Sequence, residues 1–229
     1  VFKRMGKVVR EGNRSVLMKK RALIIFVKNI LLGKVKTRLA KTVGDYGAFE
    51  VYKYLVDRTE KETIELEGVD LKVYFSDTII ESKWGGHEKF VQEGADLGDR
   101  MLAAFQKCFS DGYEEVIIIG SDLPDIESNS ITEAFELLSG QDAVIGPARD
   151  GGYYLFGMNK LIEPSFKNKS WSSENLLEET QTELEELGYN FSLLEELNDI
   201  DTIEDLNESS IASKFEHLNE LSRRNESTL

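Results

Sequence analysis

The chain has 229 residues, 41% hydrophobic and 31% charged, enough for one large α/β domain with a substantial core. Its net charge is −14, and residues 1–20 carry seven Lys or Arg against one Glu, so the chain beyond them bears −20. A body that acidic excludes a broad nucleic-acid or anionic-membrane surface, no apolar run is long enough to span a bilayer, and a lone Cys108 excludes an intrachain disulfide framework.

Residues 1–17 lack an apolar period and read as a disordered extension, with Met18 as the expected natural start and 18–229 as one domain. Ala22–Val27 reads as a buried strand. The loop after it carries Lys28, Lys34, Lys36 and Arg38 around Gly33. A strand, a basic glycine-bearing loop and a helix make a phosphate-binding layout, in which amides point at the anion and cations neutralise it. It is not a Walker A loop, because the second glycine and its Gly-Lys-Ser/Thr ending are missing. A merely solvated basic loop is the competing reading.

A long helix is expected over 47–67, with Phe49, Tyr52, Leu55, Val56, Thr59, Thr63 and Leu66 near one stripe. Leu71–Ser76 is the next strand, and Phe90–Gln92 a short one. Asp99 is the expected N-cap of the following helix, which contains Cys108 as a buried thiol. Asp96 and Arg100 read either as ligand contacts or as a local surface pair.

Val116-Ile117-Ile118-Ile119 is a run of β-branched residues, punctuated by Gly120 and Pro124. Such a run reads as a strand covered on both faces of a parallel sheet. Ligands bind at the carboxyl ends of such strands, which is where Asp122 is delivered. A carboxylate there suits Mg2+ or Mn2+ together with phosphate oxygens, while turn or helix capping is the plainer reading. Ser130 with Glu133 predicts a capping box for a helix over Ile131–Leu138. Ala143–Pro147 is the next strand.

Asp150-Gly151-Gly152-Tyr153-Tyr154 reads as a hairpin turn, or as a loop whose glycines let backbone approach a ligand contacted by Asp150 or a tyrosine. A helix over about 173–187 and a strand Phe191–Leu194 follow. Thr202 with Asp205 predicts another cap, and Asp201 just before it is a candidate second metal ligand. Residues 207–229 are polar and are expected to end in a frayed helix and tail.

Taken together, Phe26-Val27-Lys28 with Gly33–Leu39, Gly98–Met101, Gly120–Pro124, Gly146-Pro147-Ala148 with Asp150–Tyr154, and Asp199–Thr202 with Asp205-Leu206 form an ordered set. The set resembles the bacterial glycosyltransferase-like family known as radical-SAM/selenodomain-associated transferases, over about residues 20–206. The departures are Ile30 in place of proline, Leu123 in place of cysteine and Ser121 in place of threonine.

That resemblance implies a GT-A, nucleotide-diphospho-sugar transferase fold: a three-layer α/β sandwich with a mostly parallel central sheet. It further implies nucleotide phosphates on Lys28, Lys36 and Arg38, a divalent metal on Asp122 completed by Asp201, and an acceptor or sugar loop at Gly151, Gly152 and Tyr153. Neither histidine falls in a motif, so Asp150 or Asp96 is the candidate base. The expected activity is a metal-dependent transfer from a nucleotide sugar. The alternatives are nucleotidyl transfer from a nucleoside triphosphate to a small phosphorylated acceptor, and a non-catalytic nucleotide-binding protein. The expected partners are a nucleotide or nucleotide sugar and a small acceptor, with room for a homodimer and none for nucleic acid or membrane insertion. A reducing, cytoplasmic setting fits the single cysteine.

Overall fold

The computed structural model describes residues 19–171 and 173–218. The expected extension at 1–17, the start at Met18 and the tail from 219 onward lie outside the described residues. Seven strands form one sheet in the order β3-β2-β1-β4-β6-β5-β7. They are β1 (Arg21–Val27), β2 (Val69–Phe75), β3 (Glu88–Val91), β4 (Glu115–Ile119), β5 (Ala143–Pro147), β6 (Tyr153–Met158) and β7 (Phe191–Leu193). All neighbouring pairs are parallel except those of β6, which runs antiparallel to both β4 and β5. The sheet is therefore mostly parallel, with helices on both faces.

The β-branched run of β4 explains the layering. Successive side chains leave a strand on opposite faces. Ile117 and Ile119 join Leu23, Ile25 and Val27 in one core, under α1 (Thr37–Thr63) and α3 (Ser128–Leu138). Val116 and Ile118 join Ala22 and Ile24 in the other, under α2 (Leu97–Ser110) and α4 (Leu176–Glu186). Cys108 is buried there as a free thiol. A third core lies off the sheet, where Leu39, Val43 and Val51 of α1 pack on Ile200, Leu206, Ile211, Phe215 and Leu218.

Four local readings change. The first long helix begins at Thr37, ten residues before the expected start, and ends at Thr63. Gly44 sits inside it at φ 77, ψ 166, a kink that interrupts the apolar stripe and hides the first turns from periodicity. The N-cap of α2 is Asp96, not Asp99: Asp96 Oδ1 accepts from Asp99 N–H at 2.9 Å, and Asp99 reaches back to Ala95 N–H at 3.3 Å. Helix α3 starts at Ser128 behind an uncapped Glu127, so Ser130 lies inside it and makes no cap. Residues 211–218 are no frayed tail, since Phe215 and Leu218 are buried against α1.

The sheet order fixes where a site belongs. From β1 the chain moves outward through β2 to β3, then returns to place β4 on the other side of β1. The carboxyl ends of β1 and β4 thus flank the point where strand order reverses, the usual ligand crevice of an open α/β sheet.

Candidate active site

The loop leaving β1 crosses this rim and enters α1 in an unusual way. Lys36, the residue preceding the helix, is left-handed at φ 45, ψ 50, and α1 has no side-chain cap and no acidic residue in its first turn. A lysine held at positive φ is uncommon, and such strain concentrates at functional positions. The first amides of an uncapped helix are unsatisfied donors carrying the positive end of the helix dipole. They open onto a cavity of about 180 Å3 lined by Lys28, Lys36, Thr37, Arg38, Tyr52, Asp122 and Asp201.

Lys36 is at the centre of this rim, its side chain only 6% exposed. Its Nζ lies 3.0 Å from Asp122 Oδ2 and 3.6 Å from Asp201 Oδ1, and Arg38 Nη1 lies 3.1 Å from Asp201 Oδ2. Burial pulls the Lys36 ammonium down, but Asp122, Asp199 and Asp201 outweigh it, so its pKa is raised overall. Asp122, Asp201, Lys36 and Arg38 are therefore brought together, and Lys28 lines the same cavity.

Asp201 is held by its own backbone. Its N–H donates to Asp205 Oδ2 at 3.1 Å, inside the capping box that Thr202 and Asp205 make at the start of α5 (Ile203–Glu208). That cap was legible in the sequence. Asp199 was not singled out, yet it lines the rim two residues earlier, with Ile200 fully buried between them. The i, i+2 spacing around a buried residue is the signal that could have found it. Its carboxyl is pushed up to about 7, first by burial and then by Asp122, with Asp150 and Asp201 adding to Asp122 and Lys36 opposing them.

Tyr52 was read only as part of an apolar stripe. Its hydroxyl accepts from Lys28 N–H at 3.0 Å, donates to Lys28 C=O at 3.1 Å and bonds Ser121 Oγ at 3.1 Å. One phenol thus ties the start of the basic loop to the end of β4. Burial pushes this phenol up to about 12, so it stays protonated as the network requires.

On the far side of β4, Asp150 and Gly152 form the β5–β6 turn. Gly152 N–H donates to Asp150 Oδ1 at 2.9 Å. Gly151 sits at φ 86, and a Cβ there would lie 1.9 Å from Glu174 O, so no other residue fits. Asp122, Asp150, Asp199, Gly152 and Tyr153 line a cavity of about 250 Å3. Asp96 and Arg100 line neither cavity. Asp96 is engaged in its cap, and Arg100 hydrogen-bonds Gly94 O at 3.3 Å and Gln92 Oε1 at 3.5 Å.

Four carboxylates converge at this rim, but among the described residues no three His, Cys, Asp or Glu side chains form a ready-made metal cage. Hard carboxylate oxygens suit Mg2+ or Mn2+, and Mg2+ is commonly held by one or two carboxylates plus substrate phosphates. The Asp199 carboxyl is raised first by burial and then by Asp122, with Asp150 and Asp201 adding to it against Lys36, so carboxylates outnumber the buried ammonium here. The donor set therefore fits a divalent ion shared with a polyphosphate. No helix among the described residues is long and apolar enough to cross a membrane.

The fold and its rim define the class: a transferase built on the nucleotide-diphospho-sugar transferase fold. The structure superposes on a candidate nucleotide-diphospho-sugar transferase from Desulfovibrio desulfuricans G20 with a TM-score of 0.81 and 31% identity, covering 90% of this chain and 98% of that one. The chain belongs to the family of that protein. Residues 60–173 match a family described as "Uncharacterized protein conserved in bacteria (DUF2064)".

Two more distant structures share the fold alone. A CMP:2-keto-3-deoxy-manno-octonic acid synthetase complexed with CTP has a TM-score of 0.54 and 14% identity, covering 86% of this chain and 99% of that one. A 4-diphosphocytidyl-2C-methyl-D-erythritol synthase from Anaerococcus prevotii DSM 20548 has a TM-score of 0.56 and 12% identity, covering 86% of this chain and 100% of that one. Comparison with curated proteins finds none that matches.

Proposed function

We propose that the protein transfers a glycosyl unit from a nucleotide sugar to a small hydroxylated acceptor. The observation that carries this reading is the Lys36 ammonium seated between Asp122 and Asp201 at the uncapped start of α1. An acidic protein holds a diphosphate only through local positive charge, and this rim supplies it from Lys36, Arg38, Lys28 and the first amides of α1. Similarity at 31% identity to a candidate nucleotide-diphospho-sugar transferase supports the same donor class.

In the reaction, the acceptor hydroxyl oxygen bonds to the anomeric carbon as the bond from that carbon to the diphosphate oxygen breaks. The electron pair leaves with the diphosphate. Lys36 and Arg38 neutralise the charge that builds on it, where fixed charges stabilise a transition state most effectively. The hydroxyl proton passes to a carboxylate on the acceptor side. Asp150 is the proposed base, and Asp199, with a carboxyl near 7, is matched to the same task. Asp122 and Asp201 would hold a divalent ion, which would supply further neutralisation of the departing diphosphate.

Nucleotidyl transfer is the second reading. It is favoured by a loop with four cations, Lys28, Lys34, Lys36 and Arg38, enough for a triphosphate. Against it, the acceptor-side cavity carries three carboxylates and no cation to receive a phosphorylated acceptor.

Calorimetric titration of nucleotides and nucleotide sugars, with and without Mn2+, tests the site. Wild type should bind a nucleotide sugar more tightly with the ion. Asp122→Asn should lose that dependence while keeping its unfolding temperature, because the Asp122 side chain is 39% exposed. Unchanged metal-dependent affinity in Asp122→Asn would remove the assignment. Product analysis separates the two chemistries: a nucleoside diphosphate marks glycosyl transfer, and pyrophosphate marks nucleotidyl transfer.

A further inference from the structure

A second cavity of about 150 Å3 adjoins the acceptor side of the rim. Phe26, Leu97, Met101, Tyr153, Trp171 and Leu176 wall it, and no charged side chain lines it. It is continuous with the carboxylate-lined cavity, since Leu97, Gly120, Tyr153, Tyr154 and Leu176 belong to both. Protein interiors are close-packed, and a recess left open against apolar walls forfeits packing energy. Leu97 stands at its mouth 44% exposed at the first position of α2.

The wall is built, not incidental. A Cβ on Gly98 would lie 2.7 Å from the Trp171 ring and 2.3 Å from Phe166 O, so the indole packs directly on the α2 backbone. The same close approach at Gly151 joins the Asp150 turn to the segment entering α4, where Leu177 N–H donates to Gly151 O at 2.9 Å. The apolar wall and the carboxylate turn are therefore one packed unit.

We propose that this recess holds the apolar part of the acceptor. The inference rests on the glycosyl-transfer reading and names the acceptor class: a neutral alcohol bearing one aryl or branched-alkyl group. A volume of about 150 Å3 with apolar walls accommodates one benzene-sized ring. The hydroxyl beside it meets Asp122, Asp150 and Asp199, which accept a hydrogen bond and repel a phosphate. Apolar walls give the affinity and the few polar groups at one end fix orientation, the usual division in a small-molecule site.

The test uses the full chain, 15N-labelled, titrated with benzyl alcohol, glycerol and benzyl phosphate. The chain has two tryptophans, so the indole of fully buried Trp84 in the opposite core is an internal control for Trp171. Benzyl alcohol should move the Trp171 indole signal, leave Trp84 unmoved, and bind at least about tenfold more tightly than either other probe, the discrimination an apolar pocket gives for a ring. Leu97→Ser, at an exposed position, should weaken benzyl alcohol several-fold and leave metal-dependent nucleotide affinity unchanged. Equal binding of benzyl alcohol and glycerol, tighter binding of benzyl phosphate, or displacement of benzyl alcohol by uridine or cytidine would overturn the proposal. Failure of the transferase reading shows separately, as absence of metal-dependent nucleotide binding in the wild type.

Discussion

Asp199 illustrates how one side chain records the charge balance of the rim. In an unfolded chain an aspartate ionises near 3.9. In the folded protein burial and Asp122 push this carboxyl up to about 7. Between these values the folded state holds a proton that the unfolded state has released. Stability therefore falls as pH rises from about 4 to about 7, and the deficit persists above that. Asp199→Asn removes the group responsible. Its unfolding temperature without added metal should exceed wild type by a few degrees at about pH 8 and match it below about pH 4, a direction set by linkage. A calorimetric scan across pH reads this directly, and a lower unfolding temperature of the variant at high pH would contradict a raised Asp199 carboxyl. Asp122 was legible because a strand delivers it to a place where sites occur. Asp199 was passed over because Ile200 reads as a loop residue in sequence, and only its burial shows that the carboxylates two apart on either side of it both line the rim.

Helix ends decide how the site is presented. The capping box of Thr202 and Asp205 starts α5 and also anchors the backbone of Asp201. Removing a cap of this kind costs about 1 kcal/mol. Thr202→Ala should lower the denaturant midpoint accordingly, and nucleotide affinity should fall with it, because Asp201 loses its fixed approach to Lys36 and Arg38. Stability falling with affinity untouched would mean that Asp201 does not depend on the cap. This cap was readable because Thr-x-x-Asp precedes a short apolar period. At α2 the sequence offers aspartates at both 96 and 99; Asp96 accepts from Asp99 N–H and Asp99 from Ala95 N–H, so spacing alone does not say which precedes the helix. At α1 the opposite holds: the uncapped start, with left-handed Lys36, has no cap residue to read, and the kink at Gly44 delays the stripe.

At the scale of the whole molecule, the sheet and its two covered faces followed from strand composition, and the third core did not. Residues 211–218 look polar in sequence, but Phe215 is 2% exposed and meets Tyr54 edge-on at 5.6 Å between ring centroids. Sparse apolar residues outside any strong period are hidden when their partner surface lies on a helix far away in the chain. Phe215→Ala should cost about 3 kcal/mol or more, as large-to-small core changes do. An unfolding midpoint within error of wild type would mean that the segment is not part of the cooperative core. Because this core backs the first turns of α1, the same variant should also loosen the amides that face the basic loop.

The antiparallel strand β6 has a consequence for how the protein tolerates change in length. Its two edges are hydrogen-bonded to β4 and β5, and the Asp150–Gly152 turn is the tip between fixed stems. One extra residue slipped into β6 itself would turn every following side chain of that strand to the other face of the sheet. The surface stretch between β2 and β3 carries no such constraint. Insertion scanning should therefore find a tolerant point at exposed Glu81 and Ser82, between core-packed Ile80 and ion-paired Lys83, and an unforgiving segment in the β6 strand, so variation there has to come by replacement rather than by lengthening.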